Sequence, residues 1–423
     1  MRSLAVLSMH TSPLAQPGYG DGGGMNVYVR ELAAALARSG SEVEVFTRAD
    51  RVGLPAVVEV EPGFRVHHLL AGPQAAVDKF ALPELLDEFA DAAAIAMEAI
   101  TAQRGAFDAI HANYWLSGAA GHSLKHRLDL PLVATFHTLD RVKAEALSSL
   151  GEGEAREQAE QTIMGCADAL LASCLVEADQ LTALYGADEE HIHLVPPAVD
   201  HAFFGPGNRA QARKALGLPA EGVVLLFVGR IQALKGIEVA VSALGALVDR
   251  GVDAHLVVVG GPSGPDGEEA LHKLQEDARN LQISHRLRIV APQPHELLSS
   301  WYRAADACIV PSRAESFGLV ALEAQACGTP VVASAVGGLT TLVEDGITGF
   351  LVDGRDPVAF ADRIIDVSAK GDAERFSRAA VTAARRYSWK TSAERFIQVV
   401  EGISIDHEHR SALQVDASSR AGN

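Results

Sequence analysis

The architecture of this chain follows from one stretch, Val223-Val224-Leu225-Leu226-Phe227-Val228-Gly229-Arg230. Its six consecutive apolar residues are typical of a strand buried in a parallel sheet, and Gly229-Arg230 follow where that strand ends. The strand comes after residues 196–219, in which prolines and glycines interrupt any regular pattern. We therefore predict that a second sheet begins here and that a domain boundary lies near residue 205.

On both sides of this stretch, short apolar runs alternate with longer segments of helical spacing. One such segment runs from Asn26 to Ser39, where apolar residues recur at helical intervals. Strands that alternate with helices predict parallel sheets with helices on both faces. The predicted strands lie at residues 4–9, 43–47, 65–70, 108–111, 131–136, 168–173 and 192–196 before the boundary, and at residues 223–228, 255–259, 287–291, 307–310 and 330–334 after it.

The predicted fold class is α/β, with two doubly wound, Rossmann-like domains that face a central cleft. The first domain covers residues 1–205 and the second covers residues 206–386. A last helix is predicted within residues 387–403, and the polar residues 404–423 are expected to lack regular structure. Ligands of such folds bind at the carboxyl ends of the strands, so the cleft is the expected site.

The charge balance narrows the classes of partner. The chain has 423 residues, with 36 Lys and Arg against 54 Asp and Glu, so its formal net charge is −18. Such an acidic chain is repelled by nucleic-acid phosphates and anionic lipids, so we expect neither a nucleic-acid nor a membrane partner. The 4 cysteines are too scattered for a disulfide framework, and no run of about 18 apolar residues occurs. We expect a cytoplasmic protein that acts on small molecules.

A long glycine-rich loop, residues 10–24, precedes a helix that begins near Met25. Adjacent glycines let backbone N–H groups approach an anion at the start of a helix. Gly18-x-Gly20-x-x-Gly23 also matches the fingerprint of dinucleotide-binding enzymes, although that fingerprint normally opens directly at the end of a strand. A phosphate- or sugar-binding loop is the favoured interpretation. A nicotinamide-dependent dehydrogenase and a plain flexible loop are the alternatives.

Charged residues follow the strands of the predicted second domain. Arg230 and Lys235 come after its first strand, and a guanidinium with an ammonium suits a diphosphate. Glu315 lies in the loop before a predicted helix from Phe317 to Cys327, and Glu323 lies inside that helix. A carboxylate can accept two hydroxyl hydrogen bonds, which fits a ribose. The cleft is therefore predicted to bind a nucleoside diphosphate.

These motifs, in this order, resemble the retaining nucleotide-sugar glycosyltransferases of family 4, which have the GT-B fold. The resemblance extends to about residue 403. It implies that Arg230 and Lys235 hold the donor diphosphate and that Glu323 contacts the ribose. It implies that Glu315 contacts the donor sugar and that His137 lies beside the transferred sugar, and it gives catalytic roles to His137, Glu315, Arg230 and Lys235. Further donor contacts are implied at His10, Gln16, Pro17, Gly24, Ser316, Phe317, Gly318 and Leu319.

Within that family, the first domain is similar to the members that transfer N-acetylglucosamine from UDP to an inositol phosphate in mycothiol biosynthesis. The similar stretches are Met9 to Leu14, Gly20 to Tyr28, Tyr114 to Gly118 and His137 to Leu139. The similarity implies a nucleotide sugar as co-substrate, no permanently bound cofactor and a homodimer. It implies that the acceptor is contacted by Lys79, Tyr114, Thr138 and Arg156 at its phosphate, and also by Asp21 and Asn26.

Other functions remain open. A related transferase would use a different nucleotide sugar and acceptor, as in natural-product or sucrose-phosphate-type synthesis. A nucleotide-sugar epimerase or a phosphorylase would need only the donor residues. A non-catalytic binding protein is disfavoured because both cations and both glutamates of the donor motifs are present. No Asp-x-Asp sequence occurs, so no bound metal is expected.

Overall fold

The structure is a computed structural model that describes residues 1–18, 20–147, 152–264, 267–369 and 371–421. Its strands and helices alternate along most of the chain. The strands are β1 (Ser3–Leu7), β2 (Glu42–Arg48), β3 (Val57–Glu61), β4 (Phe64–Leu69), β5 (Ala109–Asn113), β6 (Leu132–Thr135), β7 (Ala169–Ala172), β8 (Ile192–Leu194), β9 (Val223–Val228), β10 (Ala254–Val259), β11 (Leu287–Val290), β12 (Ala307–Val310), β13 (Val331–Ser334) and β14 (Gly349–Val352). The helices are α1 (Gly24–Arg38), α2 (Leu86–Arg104), α3 (Tyr114–Leu128), α4 (Asp140–Leu147), α5 (Glu154–Cys166), α6 (Leu175–Tyr185), α7 (Arg209–Leu216), α8 (Ile237–Asp249), α9 (Gly267–Asn280), α10 (Leu298–Ala304), α11 (Leu319–Ala326), α12 (Leu339–Leu342), α13 (Pro357–Ser368), α14 (Asp372–Ala384) and α15 (Trp389–Ala421).

The strands form two separate sheets. The first has the order β3-β4-β2-β1-β5-β6-β7-β8, and its neighbours are parallel except for the antiparallel pair β3–β4. The second has the order β11-β10-β9-β12-β13-β14 and is parallel throughout the described residues. Both orders reverse direction beside the first strand of their sheet, which opens a crevice at the carboxyl ends. The predicted α/β fold of two doubly wound units is therefore confirmed.

Each sheet is covered on both faces by helices. On the first sheet, one apolar cluster lies under α2, α3 and α5, and the other lies under α1 and α15. On the second sheet, α8 and α13 cover one face, and α10 and α11 cover the other. Burial on both faces explains why these strands are continuous apolar runs.

Every predicted strand is present, but two observed strands were not predicted. β3 is the edge strand of the first sheet, and its Val and Glu residues are exposed or half-buried. An exposed edge strand has no continuous apolar run to mark it. β14 is the edge strand of the second sheet and has only four residues, beginning with glycine.

The expectation that residues 404–423 lack regular structure is wrong for the described part, because α15 continues to Ala421. The polar residues after Ile403 include many good helix formers, and no proline or glycine interrupts them before Gly422. The last two residues of the predicted tail lie outside the described residues. None of the helices in the described ranges has both the length and the apolar character needed to cross a membrane.

Candidate functional site

The carboxyl ends of the two sheets face a shared cleft of about 660 Å³. The loop after β1, the ends of β5 and β6, and the loops after β9 and β12 all contribute to its walls. Most of the residues predicted for the site line it, although they come from segments far apart in the chain. They are His10, Pro17, Asp21, Gly24, Lys79, Tyr114, His137, Thr138, Arg230, Lys235, Glu315, Ser316, Phe317, Gly318, Leu319 and Glu323.

Arg230 and Lys235 lie on the second-domain side of the cleft in different surroundings. Lys235 Nζ lies 2.6 Å from a carboxylate oxygen of Glu315. Arg230 has only distant partners, with Nη1 3.4 Å from the Ser263 hydroxyl and 4.0 Å from the Asp21 carboxylate. Burial lowers the pKa of Arg230. Because a partly buried cation with only distant partners gains most from an incoming anion, Arg230 is the stronger candidate for a phosphate contact.

Glycines hold the loops that carry these groups in close backbone contact. A Cβ on Gly260 would lie 1.9 Å from the carbonyl oxygen of Gly229, the residue before Arg230. A Cβ on Gly337 would lie 1.9 Å from the carbonyl oxygen of Glu315. Any side chain at either position would push the loop away. Backbone packing therefore fixes where the Arg230 and Glu315 side chains begin.

Glu323 is buried, with both carboxylate oxygens engaged by the protein. The Tyr302 hydroxyl donates to one oxygen over 2.7 Å, and His295 Nε2 lies 2.6 Å from the other. Burial alone would lower the pKa of His295, but the Glu323 carboxylate outweighs burial and raises it. A ribose contact at Glu323, as the sequence predicts, would use the remaining lone pairs of a carboxylate that His295 already orients.

His137 lies two residues after the end of β6 and has a left-handed backbone, with φ of 61°. A positive φ at a non-glycine residue is strained, and such residues cluster at functional sites. The Asn113 amide oxygen lies 2.9 Å from Nε2, and the two form a hydrogen bond in the tautomer that carries its proton on Nε2. Burial lowers the pKa of His137 to about 3, so the imidazole is neutral at pH 7. Tyr114, with φ of 72°, is the other strained non-glycine residue that lines the cleft in the described ranges.

The residues predicted to bind an acceptor phosphate converge from four segments. Arg156 is 1% exposed; its Nη1 donates to the Tyr114 hydroxyl over 3.1 Å and its Nη2 to the Thr138 carbonyl oxygen over 2.8 Å. Lys79 reaches the same cluster through Glu152, at 3.2 Å from Oε1. Nε of Arg156 donates to Glu160 over 2.8 Å, which fixes the other edge of the guanidinium. The four predicted residues therefore form one basic and hydroxyl-rich pocket.

Two members of this pocket were not predicted as site residues. Lys143 Nζ on α4 lies 2.5 Å from Glu152 Oε1, and Arg156 Nη1 lies 2.8 Å from Glu152 Oε2. Burial would raise the pKa of Glu152, but Arg156 and Lys143 outweigh burial and hold it well below its usual range. The four-residue spacing of Glu152 and Arg156 gave a sequence signal for their pairing. No local pattern signals Lys143.

Three predicted site residues, Gln16, Asn26 and Arg156, do not line the cleft. The Asn26 amide accepts from the Gly23 N–H over 2.9 Å and donates to the Ser12 carbonyl over 2.6 Å. Gln16 Nε2 donates to the Pro292 carbonyl over 3.3 Å. Both side chains hold the glycine-rich loop, Asn26 within the first domain and Gln16 against the second. Arg156 also lies behind the cleft wall, which it supports through Tyr114 and Thr138.

The glycine-rich loop does not have the geometry of a dinucleotide fingerprint. β1 ends at Leu7 and α1 begins at Gly24, so the loop is too long for the tight strand-to-helix turn that the fingerprint forms. Gly18 instead packs against Pro292, and the Ser263 hydroxyl donates to the Gly20 carbonyl over 2.8 Å. The loop thus reaches across to the second sheet, which disfavours the dehydrogenase alternative.

His10 offers an unused polar atom to the cleft. Its Nδ1 is buried and has no hydrogen-bond partner among the residues that the structure describes. Burial lowers the pKa of His10 to about 4, so the ring is neutral at pH 7. A buried polar atom without a partner is costly, and a ligand hydroxyl or phosphate oxygen in the cleft would satisfy it.

Comparisons with known proteins show the family to which the chain belongs. Residues 208–384 match the family model described as "Glycosyl transferases group 1", and residues 23–198 match "Glycosyl transferase 4-like domain". The chain is 48% identical to D-inositol 3-phosphate glycosyltransferase of Actinosynnema mirum over 93% of this chain and 95% of that protein. The protein of the same name from Xylanimonas cellulosilytica is 47% identical over 94% of this chain and 95% of its own length.

Solved structures share the arrangement of the two sheets. Sucrose-phosphate synthase from Thermosynechococcus elongatus superposes with a TM-score of 0.87 at 34% identity, over 95% of this chain and 99% of that one. Anabaena HepE in complex with UDP and glucose superposes with a TM-score of 0.75 at 18% identity, over 95% of this chain and 100% of that one. At 18% identity, the likeness to HepE shows a shared fold alone.

Proposed function

The chain belongs to the group 1 glycosyl transferases with the GT-B fold, and from this premise we propose that it transfers N-acetylglucosamine from UDP to an inositol phosphate. The choice of a phosphate-bearing acceptor rests on one observation, which is that Lys79, Tyr114 and Arg156 meet at one point. Ammonium, guanidinium and phenol groups together recognise a phosphate, since all of them donate to its oxygens. Relatives with 44–48% identity are named as glycosyltransferases of D-inositol 3-phosphate, which supports an inositol phosphate as the molecule that carries this phosphate group.

The donor side supports a nucleotide sugar. Arg230 and Lys235 both line the cleft and could hold a diphosphate, which supports this proposal. Gly318 precedes the amino end of α11, whose free N–H groups favour anions. When the bond to the sugar breaks, the departing diphosphate gains negative charge. Groups that already point at that charge stabilise it without reorganisation. UDP and N-acetylglucosamine in particular are implied by the family resemblance.

His137 has its proposed role beside the transferred sugar. Because the imidazole is neutral and its Nε2 is held by Asn113, it serves as a hydrogen-bonding group rather than as a cation. The hydroxyl of Ser316 donates to the His137 carbonyl and so joins the two domains next to the sugar position. Contact between the domains at this point would exclude water and limit hydrolysis of the donor.

The proposed reaction retains the anomeric configuration, with the acceptor attacking on the face that the diphosphate leaves. The proton of the acceptor hydroxyl would pass to the departing phosphate oxygen, so the products are the glycoside and UDP. The coupling constant of the anomeric proton in the NMR spectrum of the product checks this. A product of inverted configuration would contradict it.

The decisive experiment incubates the purified protein with four nucleotide sugars against four acceptors. The donors are UDP-N-acetylglucosamine, UDP-glucose, GDP-mannose and ADP-glucose, and the acceptors are D-inositol 3-phosphate, inositol, fructose 6-phosphate and water. We expect UDP release and a new glycoside by mass spectrometry only with UDP-N-acetylglucosamine and the inositol phosphate. Unphosphorylated inositol is the matched control, because it differs only in the phosphate.

Other outcomes identify the alternatives. Product with fructose 6-phosphate and none with inositol phosphate would favour a sucrose-phosphate-type synthesis, which the 34% identity to sucrose-phosphate synthase makes worth testing. An isomerised nucleotide sugar formed without acceptor would favour an epimerase. Either result would overturn the proposed function.

A further inference from the structure

A single carboxylate, that of Glu152, accepts from Lys79, Lys143, Tyr114 and Arg156 in the predicted acceptor-phosphate pocket. Lys79 and Lys143 lie 3.2 Å and 2.5 Å from Oε1. Arg156 Nη1 and the Tyr114 hydroxyl donate to Oε2 over 2.8 Å and 3.4 Å. A carboxylate has about four lone-pair sites, so this one is saturated. An acceptor phosphate would need the same donors.

We propose that Glu152 is an internal competitor for the acceptor phosphate and thereby determines acceptor specificity. An acceptor binds productively only if its anion displaces this carboxylate from Lys79, Lys143 and Arg156. Neutral sugars and cyclitols cannot do so, because they offer no charge in exchange. The inference rests on the proposed function in one respect, since it takes a phosphate-bearing acceptor as the ligand.

Glu152 has more cationic partners than a structural ion pair requires. Lys79, Lys143 and Arg156 all lie within 3.2 Å of its carboxylate. Of the three, only Arg156 also pairs with other buried carboxylates in the described residues, Glu160 at 2.8 Å and Asp140 at 3.7 Å. Lys143 is only 20% exposed, and burial lowers its pKa. A purely structural partner for Arg156 already exists in Glu160, which is fully buried on the other edge of the guanidinium. Neither lysine has another carboxylate within ion-pair distance in the described part of the chain, so a phosphate that replaced Glu152 would gain both of them.

The structure allows the Glu152 side chain to leave without dismantling the pocket. The backbone N–H of Glu152 donates to both oxygens of the buried Asp140 carboxylate, over 2.9 Å and 3.0 Å, and this contact does not involve the side chain. Arg156 keeps its bonds to Glu160 and to the Thr138 carbonyl. Glu152 itself is 15% exposed, so rotation of its side chain can carry the carboxylate towards solvent.

The test measures binding of inorganic phosphate to the full-length protein by calorimetry, with no nucleotide present. Glu152→Gln keeps the shape of the side chain but removes its charge. We expect phosphate to bind about tenfold tighter or more, which is the change that one charge-assisted hydrogen bond corresponds to. Glu152→Asp shortens the side chain and keeps the charge, so it should give an intermediate gain. This second variant tests the inference even if Glu152→Gln does not fold.

The matched control is Glu157→Gln, which removes the same charge from the next turn of the chain. Glu157 pairs with Arg141 over 3.3 Å and does not contact the pocket donors. Its phosphate affinity should equal that of the unchanged protein. Equal or weaker phosphate binding by Glu152→Gln would overturn the inference, because it would make Glu152 a supporting residue of the pocket.

A kinetic readout separates this inference from the proposed function. With inositol phosphate as acceptor, Glu152→Gln should lower the KM for the acceptor and leave the KM for the nucleotide sugar unchanged. Tighter phosphate binding by Glu152→Gln without any transfer to inositol phosphate would overturn the proposed function but support the role of Glu152 as a competitor. Transfer to inositol phosphate with an unchanged acceptor KM would support the proposed function but overturn the role of Glu152.

Discussion

At the scale of single residues, the cleft holds its charges in two different ways. Lys235 is neutralised by Glu315 at 2.6 Å, and three cations share Glu152. Arg230 is mostly buried and has no partner closer than 3.4 Å among the described residues. Since an under-compensated buried cation gains most from an anion, the departing diphosphate should depend more on Arg230 than on Lys235.

Replacing Arg230 by alanine should therefore lower turnover of the nucleotide sugar by about 10²–10³-fold, as the loss of one preorganised charge-stabilising group does. Steady-state kinetics with the donor and inositol phosphate would measure this. Arg250→Ala is the control, because Arg250 lies in the same domain and pairs with Asp362 over 2.5 Å. Equal activity of the two variants would remove Arg230 from the diphosphate site.

The low pKa of His137 predicts how the free energy of unfolding depends on pH. Its pKa is about 3 in the folded protein because of burial, whereas an unfolded histidine titrates near 6.5. Below pH 6.5 the unfolded chain therefore binds a proton that the folded chain does not. The free energy of unfolding should fall by about 1.4 kcal/mol per pH unit from this residue alone as the pH drops towards 4.

In His137→Gln, this contribution to the change in unfolding free energy per pH unit should be absent between pH 6 and pH 4. Chemical denaturation at several pH values would measure the slopes, and the value at pH 8 gives the pH-independent cost of the substitution. If both proteins lost stability at the same rate, His137 would not be buried in its neutral form.

At the scale of single elements, the loops after the strands of the second sheet depend on glycine. Gly260 follows β10 and lies against the backbone that follows β9, so the two loops touch without a side chain between them. The apolar runs predicted the strands themselves. The contact between their loops was not predictable, because it joins two strands that pair only in the folded sheet.

Gly260→Ala should destabilise the protein by roughly 1–3 kcal/mol, since its Cβ would overlap the Gly229 carbonyl oxygen. It should also weaken nucleotide binding, because the displaced loop carries Arg230. Thermal unfolding and calorimetry with UDP would record the two effects. Gly402→Ala is the matched control: that glycine lies in α15 with open space around it, so alanine should stabilise the helix by up to about 1 kcal/mol. A neutral Gly260→Ala would show that the loops can separate freely.

At the scale of the whole molecule, α15 ties the end of the chain to its beginning. Trp389, Phe396 and Val400 are buried in the same apolar cluster as residues of β1, β2 and α1. The helix follows the second domain in sequence and packs on the first, so the chain passes between the domains twice. This second passage limits how the two walls of the cleft can move relative to each other.

Phe396→Ala should cost about 3–5 kcal/mol, because Phe396 is fully buried and its ring centroid lies 4.9 Å from that of His111. Ile405→Ala is the control on the same helix. Ile405 is 55% exposed, so its loss should change the stability by no more than about 0.5 kcal/mol. Denaturation curves of both variants would measure their losses of unfolding free energy. A small effect at Phe396 would mean that α15 does not hold the two domains together.

The sequence by itself determined both sheets, the cleft between them and the placement of Arg230, Lys235 and Glu315 at its edge. These features depend on local apolar runs and on the residues that directly follow strands, which a chain carries whatever its distant partners are. The position of these three side chains at the cleft was therefore predictable from local sequence, whereas that of Gln16, which bonds to Pro292 outside the cleft lining, was not. The length of α15 was not, because polar composition does not by itself prevent a helix.

Only the tertiary structure decided which polar groups meet. It brought Lys79 to Glu152, 73 residues away, and Tyr302 to Glu323, 21 residues away, and it directed the Asn26 amide into its own loop. Such contacts depend on the direction of each side chain and on how the helices pack around the sheet. Neither is encoded in a local pattern, because both arise from the simultaneous burial of segments that are distant in the chain.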